Sequence, residues 1–248
     1  MNAHSNLTHL AERVDMAAAF RWTAHLNMHE AVANHFSLAV NADGTRFLIN
    51  PNLRHFSRIK ASDLLELDAN DPTTMDRPDA PDATAWALHG AIHRAHCHAA
   101  CVMHVHSIHA TVLASLADSR LPAIDQNSAM FFDRHVVDDA YGGMALDAEA
   151  ARCAGLLANP KITTLIMGNH GVLIVGRTVA ETFNRLYYFE RAAETYVRAL
   201  QTGRPLRVLP DAVAEKTAQE WESQPAFAMG HLAEIKALLD QSAPDYAH

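Results

Sequence analysis

The segment ALHGAIHRAHCHAACVMHVHS, residues 87–107, joins two periodicities that belong to different secondary structures. Its first half has helical spacing, and Asp82 just ahead of it is a suitable N-cap, because a carboxylate accepts hydrogen bonds from the free N–H groups of a first turn. The run CVMHVH that follows is short and largely apolar, as in a buried strand. Residues two apart on a strand point to the same side, so we predict that His104 and His106 project together from one face.

Hairpin patterns lie on both sides of this segment. Between residues 34 and 50, the runs HFSLAV and RFLIN flank NADG, whose Asp-Gly pair is a hairpin turn signal. Farther on, the two β-branched runs of ITTLIMGNHGVLIVG are separated by the turn Asn169-His170-Gly171. We expect Gly171 to adopt a positive φ in that turn.

Helical patterns occupy much of the remaining chain. They predict an opening helix over 5–27, a short helix begun by Ser62 or Asp63, and a long helix from Thr178 that Gly203 ends. The pattern from residue 212 onwards is helical but weaker. Because helices fall between hairpins and not between regularly spaced parallel strands, the fold class is mixed α/β, with a largely antiparallel or mixed sheet flanked by helices.

Composition narrows the classes of function. A chain of 248 residues, 49% of them hydrophobic, can bury the core of one domain. The formal net charge of -8, without a block of Lys or Arg, argues against nucleic acid as a partner. No apolar run approaches the ~20 residues of a membrane span, and the N-terminus lacks a signal-peptide pattern. Because the three cysteines, Cys97, Cys101 and Cys153, are expected to be buried and reduced, we expect a cytoplasmic protein without a membrane partner.

Histidine is the residue type that points to chemistry. Seven of the 17 histidines lie within residues 89–109. Two imidazoles on one strand face can share a metal ion, and a catalytic Zn²⁺ needs about three protein ligands plus an open position. With His104 and His106 as two ligands, His170 at its glycine turn is the best third candidate. A competing cluster has the helical spacing i, i+4, i+7: His89, His93 and His96.

Five separated motifs follow the order found in one family: NHFSLAV, FLINP, ALHGAIHRA, VMHVHS and GNHGVLIVG. Over roughly residues 10–205 the chain resembles the class II aldolase/adducin family, with 206–248 as a helical extension of the same single domain. The resemblance implies a three-layer α/β/α fold around a mainly antiparallel sheet, and often a homotetramer with the active site at a subunit boundary. It also implies that His104, His106 and His170 bind a divalent metal, usually Zn²⁺ and sometimes Mn²⁺ or Fe²⁺.

Several positions depart from the sugar-phosphate aldolases of that family. Ala85 stands where those enzymes keep a glutamate that binds the metal and shuttles a proton, and alanine can do neither. Gln126 stands where they keep a proton-donating tyrosine. The phosphate cradle is altered as well, at Asn34-His35, Asn52-Leu53 and Ala83-Thr84. A phosphorylated sugar is therefore not the expected substrate.

These departures favour metal-dependent cleavage of a carbon–carbon bond in a small hydroxy- or oxo-carboxylate that carries no phosphate. Loss of CO₂ needs stabilised negative charge and a proton donor for the carbanion, but no carboxylate base. His89, His35 and His109, as histidines with a pKa near neutrality, are the candidate donors. Gln126 is kept as a third candidate site residue.

Three alternatives to a decarboxylase stay open. An aldolase with an altered proton relay would cleave a ketose. An adducin-like interaction protein would keep the histidines only as a vestigial site. An oxygenase would use Fe²⁺ on the same three histidines. Tyr141, just before Gly142, is interpreted as a loop anchor and not as a catalytic phenol.

Overall fold

The fold is given by a computed structural model, which describes residues 7–140, 142–143 and 147–248. The α-helices within these residues are α1 Leu10–His25, α2 Ala83–Ala95, α3 Ile108–Ala114, α4 Gln126–Ala129, α5 Asp147–Leu156, α6 Val179–Gln201, α7 Asp211–Glu222 and α8 Pro225–Ser242. The strands are β1 His35–Ala39, β2 Arg46–Ile49, β3 Leu65–Asp68, β4 Cys101–Val105, β5 His135–Asp138, β6 Thr164–Met167 and β7 Gly171–Gly176. Tyr141 and the first two residues of the predicted opening helix lie outside the described residues.

Seven strands form one sheet in the order β3-β2-β1-β4-β7-β6-β5. Every neighbouring pair is antiparallel except β5 and β6, which run parallel. The predicted, mainly antiparallel sheet is therefore confirmed. Its central pair aligns Cys101 with Gly176 and Val105 with Val172, so the end of β4 and the start of β7 meet at one edge of the sheet.

Helices cover both faces of the sheet, which confirms the three layers. On one face α1, α3, α6 and α8 pack over a core that includes Met103 and Ile174. On the other face α2 and α5 pack over a core that includes Val102 and Leu173. Because side chains alternate along a strand, His104 shares the face of Val102 and points toward the layer of α2.

The two helices α2 and α6 each begin at a polar N-cap side chain, and a glycine follows the end of α6. Asp82 caps α2 as predicted, since its carboxylate accepts hydrogen bonds from the backbone N–H groups of Thr84 at 2.9 Å and Ala85 at 3.0 Å. The Thr178 hydroxyl accepts from the Glu181 N–H at 3.1 Å and caps α6. Gly203, with φ 66°, follows the last turn of α6. These boundaries are confirmed.

The prediction of a short helix needs correction, whereas the helical C-terminal segment is confirmed. The helix expected at Ser62 or Asp63 is only a 3₁₀ turn, Ala61–Asp63. The weak C-terminal pattern forms two full helices, because α8 buries Leu232 and Ile235 against α1 and α6. None of the helices in the described part of the chain has both the length and the apolar character needed to span a bilayer.

One cysteine differs from the prediction. Cys101 and Cys153 are buried, as expected, but Cys97 is exposed. It lies in the turn between α2 and β4, where the chain reverses direction at the surface and neither core covers it.

Candidate metal centre

Three histidines meet at the sheet edge where β4 ends and β7 begins. His104 is the fourth residue of β4, His106 follows that strand, and His170 lies in the turn before β7. Their candidate ligand atoms all lie within 4.8 Å of one another, and the Nε2 atoms of His104 and His106 are 3.0 Å apart. The structure thus brings together the three residues nominated from the sequence; we call them the three-histidine cluster.

Backbone contacts fix the turn that presents His170. Asn169 has a φ of 57°, and its N–H donates to the Ala114 carbonyl at 2.8 Å. The prediction of a positive φ at Gly171 is wrong; asparagine, which tolerates the left-handed region, occupies that conformation instead. Gly171 is required for a different reason, because a Cβ there would lie 2.5 Å from the Val105 carbonyl oxygen.

One hydrogen bond decides which nitrogen of His104 faces the cluster. His104 Nδ1 lies 3.0 Å from the Val172 carbonyl oxygen, and since a carbonyl can only accept, Nδ1 carries the proton. The neutral ring therefore presents the lone pair of Nε2 to the other two histidines. A backbone carbonyl in this position is a common way to orient a metal-binding histidine.

Burial keeps the three rings uncharged. It lowers the pKa of His104 well below its ordinary value, and nearby histidines add to the effect. The pKa of His106 is lowered to about 4, mainly by burial and to a smaller extent by the neighbouring His170. Burial also lowers the pKa of His170. Neutral imidazoles are good ligands for Zn²⁺, Mn²⁺ and Fe²⁺.

The geometry of the cluster suits a single divalent cation. Two nitrogen ligands on one tetrahedral ion, each about 2.05 Å from it, are about 3.3 Å apart. The Nε2 atoms of His104 and His106 are 3.0 Å apart, and the third ring lies within the same reach. The residues present therefore fit a divalent cation, with no Asp or Glu oxygen of the described residues in the group.

A chain of hydrogen-bonded side chains leads away from His104 on the α2 side. The ring of His35 lies 4.9 Å from that of His104, and His35 Nδ1 is hydrogen-bonded to His89 Nε2 at 2.6 Å. The Ser37 hydroxyl bonds to His89 Nδ1 and, at 2.7 Å, to His93 Nε2. Because all of these residues are buried, this histidine–serine chain is shielded from bulk water.

The histidine–serine chain is uncharged at neutral pH. Burial lowers the pKa of His35 to about 4 and of His93 to about 3, and it lowers the pKa of His89 well below the ordinary value. The pKa near neutrality that we predicted for His35 and His89 is therefore wrong. Each neutral ring has one N–H and one lone pair, so neighbouring rings can exchange a proton by changing tautomers while staying neutral.

The competing helical cluster does not converge on one point. His89 and His93 are engaged with Ser37, whereas His96 Nε2 lies 2.6 Å from the Ala154 carbonyl and donates to it. His96 thus ties the end of α2 to α5. The histidines of α2 therefore support the three-histidine cluster from the α2 side and do not form a second metal site.

The departures from the aldolases have structural counterparts. Ala85 is buried in an apolar cluster with Phe47 and Ile49, so no carboxylate reaches the three-histidine cluster from that position. Gln126 is exposed at the start of α4 and lines a shallow groove with Trp221. Among the hydrogen bonds of the described residues, none joins Gln126 to the cluster, and a role for it there would need a second chain.

Glu190 is a supporting residue that the sequence analysis missed. From α6, on the opposite face of the sheet, its buried carboxylate accepts from the Ser107 hydroxyl at 2.6 Å and from the backbone N–H groups of His109 and Ala110 at 3.0 Å. His109 Nδ1 donates to it at 2.8 Å. These bonds fix the residues directly after His106. The sequence contains one sign of this role: Glu190 is a carboxylate on the otherwise apolar face of an amphipathic helix.

A second group of close polar side chains is not assigned as a metal site. Ligand atoms of Asp138, Glu149 and Cys153 lie within 4.8 Å of one another. Arg152 Nε, however, donates to both Asp138 oxygens at 3.0 and 3.1 Å. Burial raises the pKa of Cys153 to about 12, which keeps it a thiol. The arginine already balances the charge that a cation would neutralise.

We predict that Glu190→Gln weakens metal binding by about tenfold, because the amide group would turn an N–H toward donors that now meet a carboxylate oxygen. The measurement is competition of the purified protein with a chromogenic Zn²⁺ chelator. Glu194→Gln is the matched control, since Glu194 lies one turn further along α6 and pairs with the exposed Arg191 and Arg198. Equal Zn²⁺ affinities of the two variants would contradict the role given to Glu190.

We predict that His93 makes stability acid-sensitive. Burial lowers its folded pKa from 6.5 to about 3, so below pH 6.5 the unfolded chain binds a proton that the folded chain excludes. The stability present at pH 7.5 therefore falls with pH, by about 2 kcal/mol at pH 5 from this residue. Urea unfolding at pH 7.5 and 5 should show His93→Gln losing about 2 kcal/mol less than wild type. Exposed His25 supplies the control, His25→Gln; a wild-type pH slope in His93→Gln would refute this assignment.

Two Streptomyces enzymes are among the proteins similar to this chain. Decarboxylase NovR of Streptomyces niveus is 27% identical over 213 residues, which cover 79% of this chain and 77% of that protein. The 4-hydroxy-3-prenylphenylpyruvate oxygenase/4-hydroxy-3-prenylbenzoate synthase of Streptomyces roseochromogenus subsp. oscitans is 31% identical over 172 residues, or 63% of this chain and 61% of that enzyme.

The fold and the sequence point to one family. A Caulobacter vibrioides protein assigned to aldolase class 2 is 31% identical over 238 residues, covering 95% of this chain and 91% of its own. The crystal structure of an aldolase II superfamily protein from Pseudomonas syringae matches with a TM-score of 0.86 and 27% identity, covering 99% of this chain and 98% of its own. The family model of the Class II Aldolase and Adducin N-terminal domain matches residues 14–197, and the chain therefore belongs to the class II aldolase and adducin family.

Proposed function

We propose that this protein is a metal-dependent carbon–carbon lyase that decarboxylates a small hydroxy- or oxo-carboxylate without a phosphate group. One observation carries the proposal: three neutral imidazoles converge without a carboxylate, beside a buried chain of neutral hydrogen-bonding side chains that begins at His35. A carboxylate-free site suits a reaction that needs charge stabilisation and protonation but no carboxylate base. The similarity to a decarboxylase supports the same reaction type.

His104, His106 and His170 are proposed to hold the metal, with Zn²⁺ the expected ion and Mn²⁺ or Fe²⁺ also suited to three imidazoles. When bound, such a cation supplies a Lewis acid that stabilises negative charge on a substrate oxygen. The Val172 carbonyl keeps His104 Nε2 turned toward the other two rings. Asn34 Oδ1 lies 3.4 Å from the His106 N–H, a long contact that adds to the support of His106.

His35 and His89 are proposed to handle the proton. When the bond to the carboxylate breaks, CO₂ leaves and its electron pair stays on the neighbouring carbon, which must take up a proton. His35 lies against His104 and is hydrogen-bonded through Nδ1 to His89 Nε2. In the proposal His35 gives the proton from Nε2 while its Nδ1 receives one from His89 Nε2. His89 Nδ1 in turn receives one from the Ser37 hydroxyl, and Ser37 receives one from His93 Nε2. The proton consumed in each turnover would enter from water at His93, so that every ring stays neutral.

The assembly and setting are proposed from the family. The protein would be a homotetramer acting on a small molecule in the cytoplasm, with one domain per chain and no nucleic-acid or membrane partner. Gln126 lies at the start of α4. In the proposed tetramer it would reach the three-histidine cluster of a neighbouring chain and not that of its own.

A second candidate function is oxygenation of a related carboxylate with Fe²⁺ on the same histidines. The similarity to a Streptomyces oxygenase favours it. Because an oxygenase consumes O₂ and a decarboxylase does not, strict anaerobiosis separates the two: turnover that stops without O₂ would replace the decarboxylase proposal with this one.

We predict that CO₂ release requires the metal and all three histidines. The assay would follow CO₂ from oxaloacetate, acetoacetate and 4-hydroxybenzoate, whose electron pair can be delocalised onto an oxygen, with L-fuculose 1-phosphate as a phosphorylated ketose for the aldolase alternative. His170→Ala should lose both bound metal and turnover, because two imidazoles hold a cation far more weakly than three. Full turnover after treatment with a strong chelator, or cleavage of the ketose alone, would refute the proposal.

We predict that His35→Phe lowers kcat by at least about 100-fold, the usual contribution of a general acid. Zn²⁺ affinity should stay within a few-fold of wild type, because His35 is not one of the proposed ligands. His98→Phe is the control, since His98 is hydrogen-bonded to the Leu157 carbonyl and its ring lies against His96, which is not part of the histidine–serine chain. Wild-type kcat in His35→Phe would remove His35 from the proposed mechanism.

A further inference from the structure

A cavity of about 560 Å³ lies at the opposite end of β7 from the three-histidine cluster. It is bounded by the end of β7, the first turns of α6 and the corner between α7 and α8. The three-histidine cluster adjoins Gly171, whereas the cavity adjoins Gly176. These glycines are five residues apart on β7, which corresponds to roughly 17 Å along the strand. The cavity is therefore distinct from the candidate metal centre.

The C-terminal helices complete this cavity. Trp221 and Glu222 at the end of α7, together with Ala228 and Met229 on α8, form one side of it. These residues lie beyond residue 197, where the family match ends. The cavity is thus built jointly by the family fold and by the segment that follows it.

Part of the cavity wall is apolar and aromatic. Phe131, Val175 and Ala228 are buried side chains that line it. Trp221 adds a flat indole, held by Tyr188 with ring centroids 5.1 Å apart. A flat apolar body would bury its surface against this wall, and the volume is within the range of small-molecule sites.

Most charges around the cavity are already balanced. Arg134 pairs with Glu222 at 3.0 Å and also with Glu215. Arg185 pairs with Glu181 at 2.6 Å and donates to the Val175 carbonyl at 2.9 Å. The carboxylates near the cavity are therefore engaged with arginines, and they leave little negative charge to repel an anionic ligand.

One cationic group at the cavity is unused. Arg177 lines the cavity, is exposed and makes no side-chain ion pair with the described residues. Its guanidinium group is therefore available to a ligand that brings acceptor oxygens and a negative charge.

We propose that this cavity is a second small-molecule site, which binds a carboxylate with a flat apolar body, such as an aryl carboxylate. The carboxylate would pair with Arg177, and the apolar body would lie against the Trp221 indole and the wall formed by Phe131, Val175 and Ala228. The proposal does not depend on the proposed lyase activity, because none of the three clustered histidines lines the cavity.

The test is calorimetric titration of the full chain with phenylacetate, and with phenylacetamide as the uncharged match. We expect saturable phenylacetate binding, with phenylacetamide at least about tenfold weaker because a salt bridge is lost. Arg177→Gln should weaken phenylacetate binding by about tenfold or more, and Trp221→Leu, which removes the flat indole, should weaken it several-fold. Arg204→Gln, an exposed arginine outside the cavity, should bind as wild type does.

The variant His170→Ala distinguishes binding in the cavity from binding at the metal centre. If phenylacetate binds in the cavity, this variant should keep wild-type affinity. Because Arg177 is exposed, its variant should unfold at the wild-type temperature, so that lost binding reports the site and not the fold. The proposal is overturned by the absence of saturable phenylacetate binding up to about 10 mM. It is also overturned by unchanged affinity in Arg177→Gln, or by loss of binding in His170→Ala.

Discussion

The close approach of β7 to β4 at Gly171 is the constraint on which the site depends. A Cβ at that residue would lie 2.5 Å from the Val105 carbonyl oxygen, so only glycine lets the two strands pair to their ends. That pairing brings the Val172 carbonyl to His104 Nδ1 and the turn that carries His170 beside His106. A single backbone contact thus sets the tautomer of one candidate ligand and the position of another.

The layer between the sheet and α2 is polar where most protein interiors are apolar. Ser37 lies at a β1 position that faces α2, and its hydroxyl joins two helical histidines through hydrogen bonds. Burial favours the neutral form of each ring, and neutral rings can be hydrogen-bonded to one another without a counter-ion. This explains how the interior holds these imidazoles although, among the described residues, no carboxylate is hydrogen-bonded to His35, His89 or His93. Asp82, at the start of α2, is close enough to oppose the lowering of the His35 pKa but does not reverse it. The neutrality of the rings also restricts proton movement there to tautomer exchange.

Support for the cluster comes from both faces of the sheet. The histidine–serine chain approaches it from the α2 side, whereas Glu190 holds the segment after His106 from α6. Ala85, at the aldolase glutamate position, belongs to the apolar core around Phe47. The difference from the sugar-phosphate aldolases is therefore a change of packing as well as a lost functional group, and the rest of the site is built without that carboxylate.

The sequence by itself determined the class of the fold and most helix and strand positions, because Asp82, Thr178 and the turn residues act through their immediate neighbours. It also nominated His104 and His106, since strand geometry alone places them on one side, and it offered His170 as the best third candidate. Only the tertiary structure decided that His170 joins them, that Gly171 serves close approach and not a positive φ, and that Glu190 braces the site. Those contacts join residues far apart in the chain, and the low pKa values of His35 and His89 come from burial, which no local pattern encodes.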